Sequence, residues 1–582
     1  KNYAIVWLSY SVHGNESSST EAAMKTLFSF ANTSNIKTME WLKRTIVIID
    51  PCINPDGRDR YVQFYTMTGT NSADADVDTR EHNEPWPGGR TNHYYFDLNR
   101  DWTWQTQIET KQRIKLYNSW MPHIHVDYHE QYFNEPYYFA PAAKPYHSQI
   151  TSWQREFQKI IGKNHTRYFD KNNWLYFTKE HFDLLYPGYG DTYPIYNGAI
   201  GMTYEKAGGG SAGISSVTND GDTLTLRSRL MHHHITGLST VESAYKHKDR
   251  IIKEFKYFFD KGIDNPISKY KTFIIKAHLN DPKREDLLRW LDTHEIKYGN
   301  PIDDRPRSVR GYSYLSGKHD SFRITENDII ISADQKKSVL TQVLFEPKTH
   351  YEDSLTYDIT AWSIPYVYGL EAYALETIIE QDNFNIQKAS KIIHEWDDKP
   401  YAYLNPWSSI YDLKFLSEVL KRNIIVRVSE EPFEIDGVFY DRGTLVITRK
   451  GNEFMEDDFD KQLRKLSKKH NTNMASVSTG FVSKGKDFGS STMRVVKAPK
   501  VAILSGEDVS SYNFGEIWHY FEQQIDYPIS VYDAKNITSL PFNNIDVLII
   551  PEGNYGSFVN EISPSEKIIE ETGADALLIN EP

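Results

Sequence analysis

The sequence predicts an α/β fold for its first 265 residues, a sheet covered by helices on both faces. Two observations carry this. Short apolar runs, "AIVWL" at Ala4–Leu8, "TIVIID" at Thr45–Asp50 and "HIHVDYH" at His123–His129, read as buried strands. Helical patterns such as "IETKQRIKLYNSWM" and "STVESAYKHKDRIIKEFKYFF" alternate with them, the rhythm of a helix-covered sheet.

Taken in order, the first strand runs into "YSVHGNESSSTEAA", where a Ser/Thr-rich loop feeds a helix. His13 and Glu16 therefore stand on a strand-to-helix connection, held firmly but facing solvent. Residues 1–265 are expected to form one domain. Residues 266–498 form a less regular α/β region in which "KTFIIKA" precedes "KREDLLRWLDTHEI" and "DGVFYDRGTLVIT" reads as a hairpin. The Gly-, Ser- and Lys-rich "KGKDFGSSTMRVVKAPK" reads as a linker. Residues 499–582 return to a strand-helix-strand rhythm with "VAILSG", "FGEIWHYFEQQI", "ISVYDA" and "IDVLIIPEG", the opening of a doubly wound, flavodoxin-like unit that stops before it is complete.

Bulk properties narrow the functional classes. At 582 residues, against roughly 150 residues per domain, three or four units are expected. The 66 Lys+Arg against 79 Asp+Glu leave a net charge of −13, which argues against nucleic acid or anionic membrane as the main partner. No run approaches the ~20 apolar residues of a membrane span. Cys52 is the only cysteine, so a metal site must use histidine and carboxylate. The chain begins inside a strand without a signal peptide, so upstream residues are expected to have been lost or removed.

Four clusters could carry chemistry. His13 and Glu16 are an imidazole and a carboxylate that one turn can aim at a single point, which suits zinc. In "HIHVDYHE", strand alternation puts His123, His125, Asp127 and His129 on one face, with His129 at the C-terminal end where α/β sites lie. His123 and His125 read as hydrogen-bonded strand residues, and His129 as the candidate ligand. "GGRTNHYYFDLNRDW" gathers Arg90, Asp97, Asn99 and Arg100, whose guanidinium forks suit carboxylates. "IGMTYEKAGG" leads a buried strand to Glu205. Two further motifs read as bland: His232–His234 as solvated or capping residues of a helix, and "ADADVD" as a solvated acidic loop.

In order and spacing these clusters, with "NPDG" at Asn54–Gly57, resemble the zinc metallocarboxypeptidase family of carboxypeptidase A/B and N/E/D type. The resemblance covers about 265 residues and implies a metallocarboxypeptidase-like mixed sheet flanked by helices. It makes His13, Glu16 and His129 the ligands of one zinc ion, with Asp97 accepting a hydrogen bond from His13. It makes Asn99 and Arg100 the grip on the substrate's terminal carboxylate, Arg90 the residue facing the oxyanion and Glu205 the general base. The tyrosine that closes over the substrate falls on Tyr186, with Tyr189 close behind, and Asp191 is a candidate for selecting a basic C-terminal residue. The expected activity is hydrolysis of the C-terminal peptide bond of peptides or proteins. The alternatives are an amidohydrolase of the same fold acting on acylated amino acids or cell-wall peptides, and a peptide-binding pseudoenzyme. A secreted or periplasmic bacterial location is the accompanying expectation. The segment from 499 resembles the start of a class I glutamine-amidotransferase-like domain through "DVLIIPEG"; that family's cysteine nucleophile is missing, so a structural or interactive role is expected.

Overall fold

In the computed structural model, the described residues are 3–264, 269–276, 281–302, 307–351, 356, 359, 361–382 and 396–556. The chain divides into two compact units, Lys1–Lys388 and Ala389–Pro582. Among the described residues no helix is long and apolar enough to cross a membrane.

The first unit is built on a six-stranded sheet of Ala4–Tyr10 (β1), Thr45–Asp50 (β2), Ile124–Gln131 (β3), Tyr137–Tyr138 (β4), Tyr176–Phe177 (β5) and Ile200–Ala207 (β6). Its order is β2-β1-β3-β6-β4-β5; the first four strands run parallel, and β4 joins β6 antiparallel, so the sheet is mixed. Its helices are Ser17–Ala31 (α1), Ile36–Leu42 (α2), Pro55–Thr68 (α3), Ile108–Trp120 (α4), Ser152–Lys171 (α5), Thr192–Tyr196 (α6) and Leu226–Asp264 (α7).

Alternation along the central strands sorts their residues by chemistry. The even positions, Val6, Leu8, Val126, Tyr128, Met202 and Tyr204 among them, pack with apolar residues of α1, α5 and α7. The odd positions of β3 and β6 carry His125, Asp127, His129, Thr203 and Glu205 on the other face. That face is closed by Trp7, Trp102, Tyr117 and Tyr193, and the same core continues into Phe273, Leu287, Trp290, Leu340 and Phe345. These last residues belong to a second layer, an antiparallel sheet ordered His319–Ile324, Arg307–Ser313, Glu371–Leu375, Thr272–Lys276, Ile329–Ser332, with the helices Pro282–Thr293 and Ser338–Phe345.

The second unit holds an antiparallel five-stranded sheet and a parallel three-stranded one. In the latter, Val501–Ser505 lies between Ile529–Asp533 and Val547–Ile549. Two expectations are corrected here. Val438–Tyr440 pairs not with Leu445–Thr448 but with Phe433–Ile435, through a turn at Asp436-Gly437, where both residues have positive φ as a type I′ turn requires. The segment expected to be a linker is structured: Met493–Val495 is a strand paired with Arg427–Ser429, and Phe488 is buried beside Phe433.

Candidate active site

Backbone geometry brings the four clusters together. The loop after β1 turns at Ser11, which takes a left-handed φ of 58°, and Gly14 lies so close to Gly57 that a Cβ at position 14 would stand 2.1 Å from the Arg58 nitrogen. Asn54 explains the "NPDG" motif. Its side-chain Oδ1 accepts from Gly57 N at 2.9 Å and caps α3, while its Nδ2 donates to the Val12 and Arg90 carbonyls at 3.3 and 3.0 Å, tying the His13 loop to the arginine loop. On β3, Glu130 accepts from Ser18 N at 3.0 Å and pairs with buried Arg229 at 3.1 Å, docking the first turn of α1 beside His129.

The result is a buried cluster of His13, Glu16 and His129. His13 Nδ1 lies 2.6 Å from Glu16 Oε1, His129 Nδ1 lies 3.1 Å from Glu16 Oε2, and the two Nδ1 atoms are 3.2 Å apart. Ligands about 2.0–2.1 Å from a tetrahedral zinc stand roughly 3.3 Å from one another; the two separations at His129 Nδ1 come near this, the 2.6 Å His13–Glu16 separation is that of a hydrogen bond, and the donor set of two imidazoles and a carboxylate suits that ion. His13 turns Nε2 to Asp97 Oδ1 at 3.0 Å, and Asp97 Oδ2 accepts from Arg90 at 2.9 Å. Asn99 Nδ2 lies 3.3 Å from His129 Nε2, and its Oδ1 accepts from Gly190 N at 2.7 Å. Arg100, less buried, lies over the Tyr189 ring at 4.7 Å. Glu205 is the β6 register partner of His129.

The charges point the same way. Burial would raise the Glu16 carboxyl, but His13 and His129 outweigh it and hold it low; Asp97, buried too, is held well below the usual range by Arg90 and His13. Burial would lower His129, but Asp127, Glu16 and Glu205 raise it well above an ordinary histidine. Burial pushes Glu205 well above the usual carboxylate range; Glu16 and Asp127 add to this, against His129 and Arg90. Glu16, Asp97, Asp127 and Glu205 thus lie around two imidazoles, with Arg90 and Arg100 beside Asp97.

The remaining expected residues are held by contacts of their own. Tyr186 is in the core, its hydroxyl accepting from Trp104 Nε1 at 2.6 Å and donating to the Arg100 carbonyl at 3.1 Å. Asp191 accepts from the Thr192 and Thr203 hydroxyls at 2.8 and 2.9 Å, and burial pushes it up to about 6. His123 accepts from Ile5 N, whereas His125 is fully buried among Trp7, Trp102 and Tyr117. The expectation of solvated histidines on α7 is corrected: His232, His233 and His234 are buried, His233 against the Tyr137 hydroxyl, His234 against Thr26 and His232 on the Trp174 ring. Sequence reasoning left Asn54, Glu130 and Asp127 without roles; for Asp127, the strand alternation that placed it beside His129 was the available signal.

Comparison with known proteins follows the same lines. The zinc carboxypeptidase family model matches residues 1–187. No curated protein matches the chain. Among solved structures, the chain is similar to a metallo-carboxypeptidase from Burkholderia cenocepacia at 14% identity and a TM-score of 0.32, covering 43% of this chain and 58% of that one. It is similar to a metallo-carboxypeptidase from Pseudomonas aeruginosa, solved in complex with (2-guanidinoethylmercapto)succinic acid, at 11% identity and a TM-score of 0.32, covering 43% and 59%. The chain therefore spans less than two thirds of either protein. Bovine thrombin-activatable fibrinolysis inhibitor, solved with tick carboxypeptidase inhibitor, is similar at 14% identity and a TM-score of 0.28, covering 43% and 83%. None of these comparisons supports the amidotransferase-like resemblance of the C-terminal segment, which is set aside.

Proposed function

We propose that this chain is a zinc-dependent carboxypeptidase that hydrolyses the C-terminal peptide bond of peptides or proteins, with its catalytic residues in 1–265. The observation that carries the reading is the convergence of His13 Nδ1, Glu16 and His129 Nδ1 in one buried cluster beside Glu205. His13, Glu16 and His129 would hold one zinc ion per chain, and zinc bound there supplies a Lewis acid for the scissile carbonyl and the attacking water. Glu205, the register partner of His129, takes the water's proton and passes it to the leaving amine. Asn99 and Arg100 bind the substrate's terminal carboxylate, Arg100 with the planar fork that suits it. Arg90 faces the carbonyl oxygen as negative charge develops there, and Asp97 holds the His13 ring through Nε2. Tyr186 closing over substrate would require release of its contacts to Trp104 and the Arg100 carbonyl. A secreted or periplasmic location belongs to the same reading.

The test is a set of free-acid peptides followed by mass spectrometry. Loss of single C-terminal residues, abolished by a chelator and restored by zinc, is the expected result. Cleavage of N-acyl amino acids with intact peptides left untouched would replace this reading with the amidohydrolase one.

A further inference from the structure

We propose that Asp127 is a positioning residue for His129, a second carboxylate that fixes the second histidine as Asp97 fixes the first. The inference rests on the reading of His13, Glu16 and His129 as metal ligands. Asp127 stands two residues before His129 on β3, so the two side chains share a face. It is 1% exposed, and its Oδ2 lies 3.0 Å from His129 Nε2.

The tautomer follows from what each ring nitrogen faces. His129 Nδ1 points at Glu16 and at His13 Nδ1. A ring that offers the Nδ1 lone pair to a metal carries its proton on Nε2 and needs an acceptor there. Two groups are near. The Asn99 amide is fixed by Gly190 N, which donates to Oδ1, so Asn99 turns its NH2 toward the ring; a donor cannot take the Nε2 proton. Asp127 is the remaining acceptor, and the Asn99 NH2 is left to face the substrate carboxylate.

The surroundings of Asp127 suit this task. Among the described residues neither of its oxygens has an aligned hydrogen-bond donor, and the nearest group to Oδ2 is His129 Nε2 at 3.0 Å. Neighbouring buried acids without such a task are tied down: Asp101 by Thr106 and Gln107, Asp191 by Thr192 and Thr203. A buried carboxylate with no partner is costly, so its retention here calls for a proton donor or a cation, and the ring supplies the donor. Gly190 makes the room, since a Cβ at that position would stand 2.1 Å from Asp127 Oδ2.

The test uses the full chain with Asp127→Asn and Asp127→Ala, reading the zinc dissociation constant by competition with a chromogenic chelator. Asp127→Ala should weaken zinc about 10–100-fold, the usual effect of losing a carboxylate behind a ligating histidine. Asp127→Asn should fall between Ala and wild type, because an amide oxygen still accepts from Nε2–H but without charge. Circular dichroism of the metal-free proteins checks folding, and if the Ala variant is unfolded the Asn variant decides alone, at a threshold of about threefold. Variants that bind zinc within about twofold of wild type would overturn the proposal while leaving the ligand assignment standing. A wild type that binds no zinc, or a His129→Ala variant that binds it as tightly as wild type, would overturn both.

Discussion

The His294 imidazole donates from Nε2 to the Thr103 carbonyl at 2.9 Å and accepts at Nδ1 from the Tyr193 hydroxyl at 2.8 Å. Thr103 lies three residues after Arg100, and Tyr193 two after Asp191, so one side chain from the second layer braces both segments that shape the candidate site. Trp290 Nε1 donates to the same Thr103 carbonyl at 2.9 Å, and Lys337 holds Asn118 and Asn197 at 3.1 and 2.7 Å. The described residues between 269 and 382 are thus a structural half of the first unit, sharing the core that runs from Trp102 to Phe345.

Shortening the chain should reveal this dependence. A chain ending at Asp264 would expose Trp102, Tyr117, Tyr186 and Tyr193, each an aromatic whose burial is worth roughly 1.5–3 kcal/mol, and is expected to be insoluble. A chain ending at Lys388 keeps the whole compact unit and should remain soluble and bind zinc. A soluble, zinc-binding chain of residues 1–264 would refute the bracing role.

Stability should fall in acid through buried neutral histidines. Burial pushes His165, His233 and His294 down to about 3. In the unfolded chain each would titrate near 6.5, so between about 6.5 and 3 the unfolded state binds more protons and folding loses free energy as pH drops. Above about pH 7 these groups are neutral in both states and contribute no slope. The melting temperature should therefore decline from pH 6.5 to 4, and His165→Phe, set against Phe139 and Tyr204, should flatten the decline. An unchanged slope in that variant would remove His165 from the account.

The legible parts of this molecule are those in which chemistry fixes both residue type and spacing. A His and a Glu one turn apart, and alternate strand positions ending in His129, met as the pattern requires. What stayed illegible turned on partners distant in sequence. His232–His234 look like surface residues by composition, yet each finds a hydroxyl or an aromatic ring from another element, and a satisfied buried histidine leaves no local mark. The misplaced hairpin had two turn signals, and the two-residue Asp436-Gly437 turn, matched to strand twist, won over the later one. The Gly/Ser/Lys-rich stretch took strand structure because Met493 and Phe488 had cores to fill.

Arg100→Ala should separate substrates by their C-terminal group. The guanidinium offers a charge-assisted contact only to a free carboxylate, so free-acid peptides should lose about 1.5–3 kcal/mol of binding and amidated ones almost nothing. Steady-state comparison of a matched pair checks this. Equal losses on both would point to an endopeptidase-like site.

Glu205→Gln bears most directly on the enzyme reading. The amide is nearly isosteric, and Glu205 lies outside the His13, Glu16, His129 cluster, so fold and zinc content should be retained. Loss of the proton acceptor should cost about 10²–10⁴-fold in turnover. The loss should fall on kcat more than on KM, since proton transfer belongs to the transition state and not to substrate binding. The acid limb of the wild-type profile supplies a second readout. A base must be ionised to accept the proton, so activity should rise with pH as the Glu205 carboxyl ionises, and that limb should vanish in the variant. A binding protein would show unchanged peptide affinity and no turnover in either form. A zinc-loaded variant that cleaves at the wild-type rate would take Glu205 out of the mechanism, leaving a metal site whose general base must be sought among the remaining carboxylates of the pocket.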